Sequence, residues 1–278
     1  MDIRNMQAID VHSHYGNHAR GINEKIDGFL SADLEKIGTY QKLANIKCSI
    51  VSPLSAFLPR GRGDAVAGNV LSESLVNGLK SFLFWVVINP LEPETYKQAE
   101  IMLKLPGCAG IKIHPEEHRY PIKDFGYKIF EFAEKNNAII ETHSGDPNSM
   151  PCDFVPFADA FPCVKVILSH LGCNFQGDPD GEQVTAIQKS KSVNLYTDTS
   201  NFQILFPNIL EWGVKEIGAE RILFGTDCPL YFSPMIRARV DKAEISDEDK
   251  EKILYRNAVN LFKNIPDLGA SEEKVSFV

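Results

Sequence analysis

The chain has 278 residues, of which 44% are apolar and 24% are charged, proportions that are ordinary for a soluble globular protein. Its formal net charge of −8 argues against a nucleic-acid partner, because binding of phosphates needs a basic surface. The sequence contains no apolar run near the roughly 18 residues that a membrane span requires, and its first residues do not resemble an export signal. We therefore expect a cytoplasmic protein with neither a membrane nor a nucleic acid as partner.

Short, largely apolar runs alternate with amphipathic stretches along the chain, and such runs are typical of strands buried on both faces. The amphipathic stretches predict helices, among them Ser31–Asn45, with Ser31 as its cap, Phe125–Asn136 and Asp247–Phe262. In chain order, the predicted strands are Gln7–His14, Lys47–Ser52, Phe82–Asn89, Ala109–His114, Ala138–His143, Val164–His170, Ser192–Asp198 and Arg221–Asp227.

This alternation of strands and helices predicts βαβ units and a parallel sheet. Eight such units, in a chain near the roughly 250 residues of a typical barrel, favour a single (β/α)₈ TIM-type barrel. An open doubly wound sheet usually has a glycine-rich phosphate loop after its first strand, and none follows here. We expect one α/β domain over residues 1–278, with residues 264–278 as a C-terminal tail beyond the last helix.

Polar side chains occur at the ends of several predicted strands. His12 and His14 end the first strand, and Asp227 ends the eighth. The carboxyl ends of all strands meet at one face of a barrel, and residues two apart on a strand point the same way. His12, His14, His143 and Asp227 therefore form a candidate nitrogen and oxygen shell for one divalent metal, zinc first and manganese second, with His170 beside it. A single histidine at a strand end is more often structural, but the coincidence of five such residues favours a site.

Four further residues are candidates for binding the substrate. Lys112 and His114 alternate on the fourth strand, so both can face the barrel interior. Arg60 and Arg62 lie in the glycine-rich segment LPRGRGD, where a guanidinium group can hold a carboxylate in a bidentate manner. The alternative for this segment is a flexible, solvated loop.

Taken together, the motifs DVHSH, GIKIHP, ETHSG, LSHLG and FGTD resemble the amidohydrolase superfamily over about residues 7–262, and within it the branch that includes aminocarboxymuconate-semialdehyde decarboxylase. The resemblance implies that His12, His14, His143 and Asp227 bind a divalent metal, commonly zinc. It also implies that His170 lies close to the substrate and the metal-bound water. A second metal, bridged by a carboxylated Lys112, is the alternative that this superfamily leaves open.

We expect the reaction to be hydrolysis of an amide, ester or lactone bond in a small, carboxylated molecule by a metal-activated water. Asp227 would take up and pass on a proton, and His170 would orient the water. The alternative is a metal-dependent, non-oxidative decarboxylation of a small unsaturated or aromatic carboxylic acid, which the compact chain makes the second choice. A third reading is a barrel that binds metal or ligand without catalysis. The sequence allows a homo-oligomer but carries no signature of an interface.

Overall fold

The barrel fold predicted from the sequence is confirmed by the computed structural model, which describes residues 5–21, 23–174 and 181–263. Eight parallel strands pair with their neighbours in chain order. Each predicted strand is present at its expected place. The strands are β1 (Ala8–Tyr15), β2 (Ile46–Pro53), β3 (Phe82–Val87), β4 (Cys108–Ile113), β5 (Ile140–Thr142), β6 (Val166–Leu168), β7 (Leu195–Asp198) and β8 (Ile222–Leu223).

The barrel closes between β1 and the chain that follows β8. Val11 N donates to the carbonyl oxygen of Phe224 at 2.9 Å, and Asp227 N donates to that of His12 at 2.7 Å. The eighth strand is shorter than predicted, since only two residues form a regular ladder with β7. Beyond them the chain follows β1, and at Asp227 the backbone takes a left-handed conformation with φ 53°, which ends extended structure.

Helices surround the barrel, and the three predicted ones are present with altered ends. The predicted Phe125–Asn136 begins three residues earlier, and the predicted Asp247–Phe262 passes through a π-helical segment, Lys252–Arg256. The helices are α1 (Glu24–Phe29), α2 (Leu34–Leu43), α3 (Ala65–Leu75), α4 (Glu94–Met102), α5 (Pro115–His118), α6 (Ile122–Lys135), α7 (Val155–Ala160), α8 (Glu182–Lys189), α9 (Ile209–Ile217), α10 (Ser233–Asp241), α11 (Asp247–Glu251) and α12 (Asn257–Leu261).

The predicted cap of the second helix is wrong. Asp33, not Ser31, caps α2, because its carboxylate accepts a hydrogen bond from Lys36 N at 2.8 Å. The Ser31 hydroxyl instead donates to the carbonyl oxygen of Asp27 and accepts from His18 N. It therefore ties down the segment between β1 and α2. The predicted tail, 264–278, lies outside the described residues.

The amino end of the barrel, where the strands begin, is packed with large apolar side chains. Trp85 is fully buried and donates its indole N–H to the carbonyl oxygen of Val11 at 3.0 Å. Phe262 packs against the same indole, with ring centroids 5.7 Å apart. In barrels of this kind, chemistry takes place at the carboxyl ends of the strands. No helix in the described part of the chain combines the length and apolarity needed to cross a bilayer.

Candidate active site

A cavity of about 590 Å³ opens at the carboxyl ends of the strands and brings most of the predicted site residues together. Arg62 is exposed and is not one of the described residues that line this cavity. Much of the remaining wall is apolar, as in most small-molecule sites. The predicted residues that line the cavity are His12, His14, Arg60, Lys112, His114, His143, His170 and Asp227.

His12, His14 and Asp227 form a donor group in the cavity, and His12, His170 and Asp198 form a second one of similar spacing. Each residue offers one ligand atom, and within each group these atoms lie within 4.8 Å of one another. Asp227 Oδ1 is 3.1 Å from His14 Nε2 and 3.6 Å from His12 Nε2. The other nitrogen of His14 faces Ser52, whose hydroxyl lies 2.9 Å away and fixes the ring. Two imidazoles and a carboxylate, all buried, form a donor set that suits a divalent metal such as zinc or manganese.

The protonation states of His14 and Asp227 also fit a metal, whereas the pKa of His12, which burial alone would lower, is raised by the charges of Glu141 and Asp198. Burial alone would raise the pKa of Asp227, but the hydrogen bond from His14 and the charges of His12 and His14 lower it to about 2. Burial lowers the pKa of His14, and burial together with the charges of His143 and His12 lowers the pKa of His170 to about 3. Ionised carboxylates and neutral imidazoles are the forms that ligate metals.

The two residues predicted to be catalytic have unusual backbones. His170 has φ 76° and Asp227 has φ 53°, although neither is glycine. Left-handed backbone at such residues is uncommon and concentrates at functional sites, where the surrounding structure enforces it. At His170, the main-chain N–H donates to Asp198 Oδ1 at 3.0 Å, and ring Nδ1 lies 2.6 Å from the carbonyl oxygen of Ser200. These contacts fix the position of the ring at the cavity.

Asp198 is a site residue that the sequence analysis missed. It ends β7 and is fully buried, with Oδ2 at 3.1 Å from His12 Nδ1. Burial alone would raise the pKa of Asp198, but the charge and hydrogen bond of His12 hold it well below its usual range. The carboxylate therefore accepts from the His12 nitrogen that points away from Asp227. A signal was available, because Asp198 is the last residue of the predicted seventh strand, just as Asp227 is of the eighth.

Lys112 points into the barrel as predicted, and its ammonium group meets the Glu141 carboxylate there. Its side chain is 1% exposed, and its ammonium group forms an ion pair with Glu141 on β5. The Lys112 Nζ also lies 3.0 Å from His12 Nε2. A carbamate on Lys112 would place a second anion beside Glu141, so this arrangement favours the free amine. Glu141 lies within a predicted strand but not at its end, and the strand-end pattern could not single it out.

His143 lies in the same cavity but outside both donor groups. Its Nδ1 is 3.1 Å from His170 Nε2, and its Nε2 is 2.8 Å from Asp146 Oδ2. Its ring stacks on that of His114, with centroids 4.2 Å apart. Both ring nitrogens are engaged, so His143 would have to give up one of these contacts to ligate a metal.

The mouth of the cavity holds two arginines and one buried carboxylate. Arg60 donates to both oxygens of Glu117 and also to Glu116. Arg20, which precedes α1, donates to Glu117 Oε1 at 2.6 Å. The sequence predicted Arg60 but not Arg20 or Glu117, because neither lies at a strand end or in a recognisable motif.

Comparisons with known proteins point to decarboxylases. A curated gamma-resorcylate decarboxylase from Polaromonas sp. is 34% identical over 122 residues, which cover 38% of this chain and 36% of that protein. A solved dihydroxybenzoic acid decarboxylase from Polaromonas, with bound manganese, superposes with a TM-score of 0.71 and 18% identity, over 98% of this chain and 99% of that one. The 5-carboxyvanillate decarboxylase from Sphingomonas paucimobilis gives a TM-score of 0.68 and 14% identity, over 92% and 99% of the two chains.

These relatives correct the predicted reaction. Hydrolysis of an amide, ester or lactone bond was the first expectation, and it is wrong, because the curated relative with a matching sequence is a decarboxylase. The compactness of the chain was the argument for hydrolysis. Chain length reports on insertions around the barrel and does not determine which bond the site breaks.

The family follows from the sequence itself. The model of the amidohydrolase family matches residues 69–263, which is most of the chain. The matched region includes β3 to β8 with Lys112, His143, His170 and Asp227, while His12 and His14 on β1 lie before it. The chain belongs to the amidohydrolase family.

Proposed function

We propose that this protein is a metal-dependent decarboxylase that releases CO₂ from a small aromatic or unsaturated carboxylic acid without an oxidant. The observation that carries the proposal is the sequence match to gamma-resorcylate decarboxylase. The site supports it, because a buried metal-type donor group lies in a cavity whose wall is otherwise largely apolar. Such a cavity suits a planar, apolar ring that carries an acid group.

In this proposal His12, His14 and Asp227 hold the metal, and His143 turns from Asp146 to become a fourth ligand. The metal, when bound, supplies a Lewis acid that holds substrate oxygen atoms and stabilises negative charge on them. Zinc and manganese both accept this donor set, and a solved structural neighbour contains manganese.

The reaction breaks the bond between the carboxyl group and the carbon that carries it. CO₂ leaves, the electron pair stays on that carbon, and one proton takes the place of the carboxyl group. We assign the movement of this proton to Asp227 and His170, which border the cavity. Lys112 and His114 would face the substrate in the barrel, and Arg60 would hold it at the mouth. Apolar walls exclude water from the carboxylate, which removes the hydration that stabilises its charge and so favours departure of CO₂.

CO₂ release from gamma-resorcylate and 5-carboxyvanillate, by protein loaded with manganese or with zinc, tests this proposal. We expect CO₂ release that stops on chelation, returns with added metal, and falls at least about 100-fold in Asp227→Asn. Asp153→Asn is the control, since Asp153 lies outside the cavity and pairs with Lys123 at the surface. Metal-loaded protein that releases no CO₂ from any aromatic or unsaturated acid tested would overturn the proposal.

We extend the proposal to the partners of the enzyme and to its location in the cell. A small-molecule substrate is consistent with the relatives, which act on small aromatic acids. A cytoplasmic location, expected from the sequence, and association into a homo-oligomer, which the sequence allows, stay predictions that cell fractionation and light scattering would check.

A further inference from the structure

The segment between β1 and α2 covers one side of the cavity and carries Arg20. Helix α1 in this segment has no buried residue. It nevertheless contributes Ile26 to the cavity wall. Asp27 ties the segment together, since it accepts hydrogen bonds from the N–H groups of Arg20 and Gly21 and pairs with His18 at 2.7 Å. Arg20 is therefore held on a small, internally bonded unit at the cavity mouth.

A buried carboxylate fixes the two arginines of the mouth. The Glu117 side chain is 2% exposed, whereas the side chains of Arg20 and Arg60 are each 41% exposed. Glu117 accepts from both, with Nη2 to Oε1 distances of 2.6 Å for Arg20 and 3.0 Å for Arg60. One shared carboxylate orients two guanidinium groups, and each guanidinium has five N–H donors in a fixed plane. Among the described residues, Glu117 is the one side-chain acceptor for Arg20, so other donors of its guanidinium stay available.

The cavity thus has polar groups at two levels. Glu117 follows His114 by three residues on α5, and Glu117 N donates to His114 Nδ1 at 3.3 Å. The side chains of Arg20 and Arg60 at the mouth are each 41% exposed, whereas His12, His14 and Asp227 are buried, so the mouth lies farther out than the donor group. The apolar side chains of Leu54, Phe57 and Leu230 line the cavity as well. A ligand that matches this pattern has an apolar body with an acid group at each of two ends.

We propose that Arg20, together with Arg60, recognises a second acidic group on the substrate, so that the preferred substrate is an aromatic or unsaturated diacid. This inference rests on the proposed decarboxylation, because the first acid group is the one lost at the metal. Glu117 is the positioning residue for both arginines. Arginine suits this task, because its planar guanidinium group can bind a carboxylate through two parallel hydrogen bonds.

Binding of matched acids to the manganese-loaded protein, measured by calorimetry, tests the inference without turnover. Benzoate is compared with isophthalate and terephthalate, which add one carboxylate to the same ring. We expect at least one diacid to bind about 10- to 100-fold more tightly than benzoate, the range for one charged hydrogen-bonded contact. In Arg20→Gln this preference should shrink to within about threefold, whereas Arg20→Lys should keep part of it through its charge.

Arg256→Gln is the matched control, because Arg256 is 50% exposed, pairs with one carboxylate, Glu251, and does not line the cavity among the described residues. It should keep the full preference. Equal affinities of wild-type protein for benzoate and both diacids, no binding of any of them, or a preference that survives in Arg20→Gln would overturn the inference. Failure of the proposed function would be recognised by a different assay, since the protein would then release no CO₂ from any acid.

Discussion

The Asp198 carboxylate lies 3.1 Å from Nδ1 of His12, on the opposite side of the imidazole from the Nε2 that faces Asp227. An acceptor at one ring nitrogen fixes the tautomer and leaves the other as the nitrogen that would ligate a metal. In His12 that nitrogen, Nε2, lies 3.0 Å from Lys112 Nζ. Ser200 reinforces this orientation, with its hydroxyl 2.8 Å from the same Nδ1. Asp198 therefore supports the proposed metal ligand His12 from the opposite side of its ring.

Asp198→Asn should weaken metal binding by about 10- to 100-fold, because the amide removes the negative charge behind His12. Calorimetric titration of the metal-free protein with manganese measures the change in affinity. Asp153→Asn should leave the affinity within about twofold of wild type. An unchanged affinity in Asp198→Asn would show that this carboxylate does not support the metal site.

The buried pair of Lys112 and Glu141 should dominate the response of the barrel to mutation. Lys112→Met should lower the free energy of unfolding by about 3–5 kcal/mol, because it leaves the Glu141 carboxylate buried and without its cation. Adding Glu141→Gln to Lys112→Met should recover part of this loss. Urea denaturation of the two single variants and the double variant measures the coupling. Strictly additive losses would contradict a direct pair.

Acid should destabilise the metal-free protein through His170. Its pKa falls from the ordinary 6.5 to about 3 in the folded protein. Between these two pH values the unfolded chain holds the proton and the folded protein does not, so stability decreases as the pH falls from about 6.5 towards about 3. One such group contributes a slope of about 1.4 kcal/mol per pH unit.

His170→Gln should remove that slope, as urea denaturation at a series of pH values would show. The comparison is made against wild type, because His12 contributes in the opposite direction above pH 6.5. Burial alone would lower the pKa of His12, but the charges of Glu141 and Asp198 raise it. Asp227 lowers the stability further only below about pH 4. There the unfolded chain binds a proton at this carboxylate, while the folded protein, in which its pKa is about 2, does not. Identical pH profiles for wild type and His170→Gln would contradict the assigned protonation state.

Replacement of the two arginines of the LPRGRGD segment should have very different effects on the kinetic constants. Arg60 lines the cavity, and its Nη2 lies 3.0 Å from Glu117, whereas Arg62 is exposed. Arg60→Gln should therefore raise KM for an aromatic acid by about tenfold or more, with a smaller change in kcat. Arg62→Gln should change both constants by less than about twofold. Steady-state kinetics with both variants checks this, and an equal effect of the two would contradict the geometry.

Regular features of the sequence were enough to predict the barrel and much of its site. Alternation of strand and helix gave the fold, and the position of polar residues at strand ends gave His12, His14, His170 and Asp227. These signals are local, since they depend on periodicity and on strand ends.

Glu117, Arg20 and Asp146 could not be predicted in this way. Each lies in a loop or short helix, and its place in the cavity depends on how separate segments pack together. Asp198 could have been found by the strand-end rule. The reaction was misjudged for a different reason, because polar residues at strand ends indicate a metal site but do not determine which bond it breaks.

Elemental analysis of the purified protein beside the double variant His12→Ala, His14→Ala is the most direct test of the proposed metal site. We expect about one equivalent of zinc or manganese in the wild-type protein, and almost none in the variant, because two of the proposed ligands are missing. Metal retained in the variant, or no uptake by wild-type protein on addition of either ion, would contradict it.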